Sequence, residues 1–157
     1  MSGVDEREEL SLSKAAQFLL DECRMVLPGI QALFGFQLIA VFSPGFGEKL
    51  SAAEQAIHLG AITLAAMAIA LIMTPAALHR QSGGRHVSGR FVRLSTRLLL
   101  WSMVPLASSI CLDFYLIARV ILGGSAAAAL IAVTLFGVFM LFWFIVPRVK
   151  ALQSFID

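Results

Sequence analysis

Asp113 is the residue best placed to do chemistry in this sequence, because it is a carboxylate within a long apolar segment. It lies about 22 Å along that segment if the segment is helical. An ionisable side chain at such a depth predicts a functional site. The structural alternatives are an ion pair with Arg119 and a hydrated position at the outer membrane interface. Asp113 and Arg119 are six positions apart and point about 120° away from each other on one helix, so we expect a pair between helices or subunits.

His58 and two glutamines are the other polar residues in apolar surroundings. His58 lies near the start of the second apolar segment, where we expect it at the same membrane level as Asp113. A histidine facing a carboxylate can relay protons or sense pH; the alternative is a hydrated histidine at the membrane surface. Gln31 and Gln37 need different partners, since residues six apart point about 120° away from each other. Each predicts either a hydrogen bond between helices or a contact with a pore or ligand.

Polar residues also follow helical spacing along the third apolar segment and form two neighbouring stripes. The first stripe consists of Ser102, Pro105, Ser109 and Asp113, and the second of Ser108, Tyr115 and Arg119. The other apolar segments lack this pattern. It predicts a helix with one polar side, which is suited to line a pathway.

Other kinds of chemistry have no counterpart in the sequence. It lacks a zinc-type Cys/His cluster, a G-x-S-x-G motif and a phosphate-binding glycine loop, so we expect neither an enzyme nor a resident metal or cofactor. A bis-histidine haem is disfavoured, because His58 and His79 are about 31 Å apart along one helix. Cys23 and Cys111 are expected near opposite membrane faces, which makes a disulfide implausible.

The elements that position these residues are membrane spans. Hydrophobic residues make up 59% and charged residues 14% of the 157 positions, and a soluble domain of this size cannot bury so much apolar surface. We predict an all-α, polytopic membrane protein of one domain, 1–157. It has an amphipathic interfacial helix at 10–25, a basic cytoplasmic loop at 79–97, and four transmembrane helices at 26–43, 56–78, 98–122 and 125–146.

The basic residues predict the orientation. With the N-terminus inside, ten Lys and Arg residues lie on the inner side and two, Lys49 and Arg119, on the outer side, so both termini should be cytoplasmic. Arg90, Arg93 and Arg97 share one face of a helix that Ser88 caps. They predict a site for anionic lipids or an acidic partner, or they only fix the topology.

Two blocks of the sequence carry a resemblance to a known family. RMVLPGIQALFGFQL in the first span contains the pattern LPGxQxLFGFQ, and TPAALHR ends the second span before the basic loop. From Arg24 to Arg148 the chain resembles an uncharacterised family of small bacterial four-span membrane proteins, a domain of unknown function. The resemblance implies a bacterial inner-membrane protein with four helices and carries no activity.

Two functions remain open. The first is an ion channel or small-solute transporter, formed as a homo-oligomer because four such helices enclose little room, with polar residues of the first and third spans along the pathway. The second is a non-catalytic accessory or sensory subunit of a larger membrane complex. The lipid bilayer is the expected partner in both, and no nucleic acid is expected.

Overall fold

The computed structural model describes residues 3–81 and 88–149, and it describes side-chain surroundings from residue 11 onward. These residues form helices and connecting turns. The α-helices are α1 Gly3–Val41, α2 Gly45–Lys49, α3 Ala52–Gln81, α4 Gly89–Leu122 and α5 Ser125–Met140. Four segments are long and apolar enough to cross a membrane: Ser11–Val41, Ala52–Gln81, Gly89–Leu122 and Ser125–Arg148. The predicted all-α, four-span membrane architecture is confirmed.

The first helix differs from the prediction in its bounds. The amphipathic segment 10–25 and the span 26–43 form one continuous helix of 39 residues, with Pro28 inside it. The buried residues of α1 recur at every seventh position: Ala16, Cys23, Ile30 and Gln37. Because this period of seven continues across Pro28, one side of the helix stays against the bundle from Ala16 to Gln37.

Helices α3 and α4 form the largest interface in the bundle. The buried residues of α3 alternate in steps of four and three: Glu54, His58, Ala61, Ala65, Ala68, Ile72 and Pro75. On α4, Ser95, Ser102, Ser109 and Leu116 are buried at steps of seven. Both patterns have the average period of 3.5 that is typical of left-handed helix packing. Three alanines in the first set and three serines in the second let the two backbones approach closely.

A tight connection joins α4 to α5. Gly123 ends α4 in the left-handed conformation, with φ of 69°, and its N–H donates to the carbonyl of Arg119 at 3.0 Å. Helix α5 packs on α4 and buries one residue, Ala128. Beyond Met140 the chain continues as a wider π-helical turn, Leu141–Ile145, and a short 3₁₀ turn, Val146–Arg148. The last span is therefore a peripheral helix on the side of α4.

The predicted basic loop 79–97 is mostly helical. Helix α3 continues to Gln81 and α4 begins at Gly89. As predicted, Ser88 caps α4, since its hydroxyl oxygen accepts a hydrogen bond from the Phe91 N–H at 3.2 Å. The middle of the predicted loop, 82–87, and the chain end, 150–157, lie outside the described residues.

Candidate functional site

Four polar side chains from three helices meet where the C-terminal end of α1 lies beside the start of α3. Gln37 comes from α1, His58 from α3, and Ser109 and Asp113 from α4. We call these four residues the polar cluster. Gln37, His58 and Ser109 are buried, and 17% of the Asp113 side chain is exposed. The heptad spacing produces the meeting, because Gln37, His58 and Ser109 belong to the buried stripes of their helices and Asp113 lies one turn after Ser109.

Gln37 connects α1 to α4. Its Nε2 donates to Asp113 Oδ2 at 2.6 Å and to Ser109 Oγ at 2.9 Å. The Ser109 hydroxyl in turn donates to the carbonyl of Ala61 on α3 at 2.8 Å. The Oε1 atom of Gln37 is buried and has no hydrogen-bond partner among the described residues. An unpaired buried acceptor is costly.

His58 lies between α1 and α4. Its Nδ1 is 3.2 Å from Asp113 Oδ1, and its Nε2 is 2.9 Å from the backbone carbonyl oxygen of Gln37. The ring also meets Phe46 of α2 edge-on, with ring centroids 5.3 Å apart. The sequence placed His58 and Asp113 at one membrane level, and the structure brings them into contact.

A second charged pair lies one helical turn before His58 on α3. Arg119 Nε is 2.5 Å from Glu54 Oε1. The other carboxylate oxygen, Oε2, accepts from the Ser51 N–H at 2.8 Å and the Ser51 hydroxyl at 2.7 Å. Arg119 is thus paired across two helices, as expected, but its partner is Glu54 rather than Asp113. Sequence reasoning missed Glu54 by placing it in the connection, although Ser51 and Glu54 have the S-x-x-E spacing of a helix start.

A cleft of about 530 Å³ opens beside the polar cluster, between α1, α2 and α4. Its volume lies within the range of about 300–1,000 Å³ that is usual for small-molecule sites. Gln37, His58 and Asp113 line one part of it, and Lys49 contributes a cation. Most of the wall is apolar and includes Phe36, Phe46, Ile110, Phe114, Ile117 and Ile121. The site can therefore hold an apolar body with a polar group directed at the cluster.

Comparison with known proteins places the chain in a family. The model of DUF6328, a family of unknown function, matches residues 5–147. The chain belongs to the DUF6328 family. No curated protein and no solved structure matches it. The membership agrees with the resemblance seen in the sequence, and it brings no activity to this DUF6328 protein.

The remaining predicted site residues of the DUF6328 protein lie away from the polar cluster. Ser102 is buried, but its hydroxyl donates to the carbonyl of Leu99 within α4, at 2.6 Å. Gln31 is exposed on the surface of the bundle, and Tyr115 is half-buried on α4. The two polar stripes of the third span thus separate into residues that join helices, such as Ser109, and residues that do not.

The basic residues of the DUF6328 protein are at the opposite end of α4. Arg90, Arg93 and Arg97 are exposed on its first turns, which agrees with the predicted shared face. Among the described residues, no three His, Cys, Asp or Glu side chains are grouped so that they could hold a metal ion. Cys23 and Cys111 are both buried free thiols.

Proposed function

We propose that this DUF6328 protein is a small-solute transporter whose solute binds in the cleft against the polar cluster. The observation that carries the proposal is the contact between His58 and Asp113, which adjoins a cleft between apolar spans. Ionisable groups are costly at membrane depth and are retained mainly along solute and proton pathways. The proposed activity is non-enzymatic transport.

The cleft favours one class of solute. Its walls are mostly apolar, so they suit an aromatic or aliphatic body. The polar cluster offers one acceptor that is partly exposed and lines the cleft, the carboxylate of Asp113. We therefore expect a small amphiphile that carries an amino group or another hydrogen-bond donor.

The position of the polar residues favours a pathway within each subunit. Ser102 and Ser109 are buried inside a single chain, so they are poorly placed to line a pore on the axis of a homo-oligomer. An oligomeric channel is therefore the less favoured form of the proposal. If copies do assemble, the exposed Gln31 of α1 is a candidate for the contact between them.

The proposed setting is a bacterial inner membrane with both termini cytoplasmic. It is based on the ten basic residues assigned to the inner side against two on the outer side. In that orientation the cleft opens toward the outer leaflet, and Arg90, Arg93 and Arg97 face anionic headgroups of the inner leaflet.

An accessory or sensory subunit is the second candidate. It is favoured by the hydrogen bonds of the polar cluster, which join α1, α3 and α4 to one another and are typical of a structural contact. In this alternative the exposed arginines at the start of α4 meet an acidic partner protein.

The test is flux through proteoliposomes of the purified protein. The probe is ethidium, an aromatic cation with two amino groups, and K⁺ and Cl⁻ flux are measured beside it. We expect protein-dependent ethidium flux that falls in Asp113→Asn and Gln37→Ala. The matched controls, Asp21→Asn and Gln31→Ala, change exposed side chains of α1 and should leave it unchanged. Flux of all three probes equal to that of empty liposomes, from folded protein, would favour the accessory subunit.

A further inference from the structure

The ring of His58 lies between two hydrogen-bond acceptors. Its Nδ1 faces Asp113 Oδ1 at 3.2 Å, and its Nε2 faces the Gln37 carbonyl oxygen at 2.9 Å. A neutral imidazole has one N–H donor and one bare nitrogen, whereas an imidazolium has two N–H donors. A carbonyl oxygen cannot donate, so the number of protons in the His58–Asp113 pair decides whether both contacts are hydrogen bonds.

Two proton arrangements without net charge satisfy both contacts. In the first, His58 is an imidazolium and donates to the Asp113 carboxylate and to the Gln37 carbonyl. In the second, neutral His58 donates from Nε2 to the carbonyl, and a protonated Asp113 donates to Nδ1. Both arrangements hold two protons and have no net charge. With one proton fewer, a nitrogen lone pair faces an oxygen lone pair in one contact, and the low dielectric of the interior screens this repulsion poorly.

We propose that the His58–Asp113 pair is the site of a coupling proton in this transporter. In the doubly protonated, neutral state both His58 contacts are hydrogen bonds, and α3 is bound to both α1 and α4. Release of one proton to water in the cleft leaves an anionic pair and breaks one of the two His58 contacts. The freed carboxylate then accepts the amino group of the solute, so proton and cationic solute exchange at one site.

The charges around the pair support this assignment. Glu54 of α3 and Arg119 of α4 are paired with each other. From α2, Lys49 lines the same cleft. Helix α1 contributes the uncharged Gln37 here, and α5 has no ionisable residue in Ser125–Met140. Among the described neighbours, Lys49 is therefore the one cation available to offset the anionic state.

The proton count is tested by NMR on protein in nanodiscs with ¹⁵N-labelled histidine. His58 is assigned by its loss in His58→Gln. At neutral pH we expect both ring nitrogens of His58 to be protonated, or a protonated carboxyl infrared band that disappears in Asp113→Asn. A bare ring nitrogen without that band would overturn the proposal.

The coupling to helix packing is tested with spin labels on α1 and α3. Ile39 and Leu59 are exposed and are changed to cysteine for labelling, with Cys23 and Cys111 changed to alanine. We expect the distance between the labels to increase as pH rises, with the same midpoint as the loss of the His58 proton. The Asp113→Asn protein should lose this coupled transition. A distance that stays constant while His58 deprotonates would overturn the proposal.

This inference rests on the proposed function, since a coupling proton needs a transported solute, and the flux assay separates the two. An opposing pH gradient should raise ethidium transport several-fold, and nigericin, which collapses the gradient, should abolish the increase. Ethidium flux that is indifferent to the gradient would overturn the coupling and leave the transporter. If no probe showed flux while His58 still titrated, both the transporter and its coupling would be overturned.

Discussion

The neighbouring helices α4 and α5 differ in what they bury. In the most apolar window of α4, 33% of residues are buried inside the bundle, against 0% in that of the last span, which is the most apolar of the four. Helix α4 buries three serines, Ser95, Ser102 and Ser109, and α5 buries only Ala128. The helix with the most hydrophobic sequence is therefore the least enclosed.

The difference shows which forces assemble this bundle. Lipid tails are as apolar as leucine side chains, so a helix gains little by moving such residues from lipid to protein. Close packing of small residues and hydrogen bonds between helices provide the attraction instead. In this molecule, polar and small side chains mark the interior, and large apolar ones mark the surface that lipid covers.

The largest expected difference in stability is between two leucine-to-alanine changes, one on α4 and one on α5. Leu116 of α4 is buried and Leu130 of α5 is 69% exposed. We expect Leu116→Ala to lower the free energy of unfolding by about 2–5 kcal/mol, because it leaves a cavity, and Leu130→Ala to change it by less than about 0.5 kcal/mol. Reversible unfolding by SDS in mixed micelles measures both. Equal losses would mean that α5 is enclosed by another chain.

The next prediction compares the stability lost when each of two adjacent serines of α4 is changed. Ser109 is fully buried and bonds to α1 and α3, whereas half-buried Ser108 donates within its own helix to the Val104 carbonyl at 2.8 Å. We expect Ser109→Leu to cost about 3 kcal/mol, since it overfills a close helix contact. Ser108→Leu should cost clearly less in the same unfolding assay. A larger loss for Ser108→Leu than for Ser109→Leu would show that the Ser108 side of α4 faces the neighbouring helices.

A smaller effect compares two carboxylates. Asp113→Leu leaves His58 Nδ1 and Gln37 Nε2 without their shared partner, so we expect a loss of about 2 kcal/mol. The control is Asp21→Leu, because Asp21 is exposed and its partner among the described side chains is the neighbouring Arg24 at 3.3 Å. Exposed pairs contribute little, and the unfolding free energy of this control should barely change. If Asp113→Leu left the free energy of unfolding unchanged, the polar cluster would not stabilise the bundle.

Much of this architecture is predictable from sequence, because long apolar runs locate spans with little ambiguity. The small residues of α3 follow helical spacing in the sequence, and Ala61, Ala65 and Ala68 are all fully buried. The end of a span is harder to predict, since hydropathy does not show how far a helix continues beyond its apolar run. For that reason Glu54 was assigned to a connection, and 10–25 was separated from the first span.

The partners of polar residues are the least predictable part. Gln31 and Gln37 gave equal reasons to expect a partner, and helical geometry fixes only the angle between them. Both sides of this span are apolar, so no alternation of polar and apolar residues shows which side meets the bundle. For His58 and Asp113, the sequence predicts only that they lie at the same membrane depth. Their contact depends on the rotation of α3 and α4, which the packing of small residues along both helices determines.

The two glutamines of α1 therefore give the finest test of the comparison. Gln37 is 3% exposed and its amide bonds to Ser109 and Asp113, whereas Gln31 is exposed. Hydrogen bonds between membrane helices contribute about 0.6 kcal/mol on average. Because Gln37 makes two such bonds, we expect Gln37→Leu to lower the unfolding free energy by about 1 kcal/mol. In the same assay, Gln31→Leu should leave stability unchanged or raise it slightly, since leucine suits a lipid-facing position better than an amide. A loss of unfolding free energy in Gln31→Leu that grows with protein concentration would instead assign that face of α1 to a contact between copies. Part of the surface attributed to lipid would then be covered by protein.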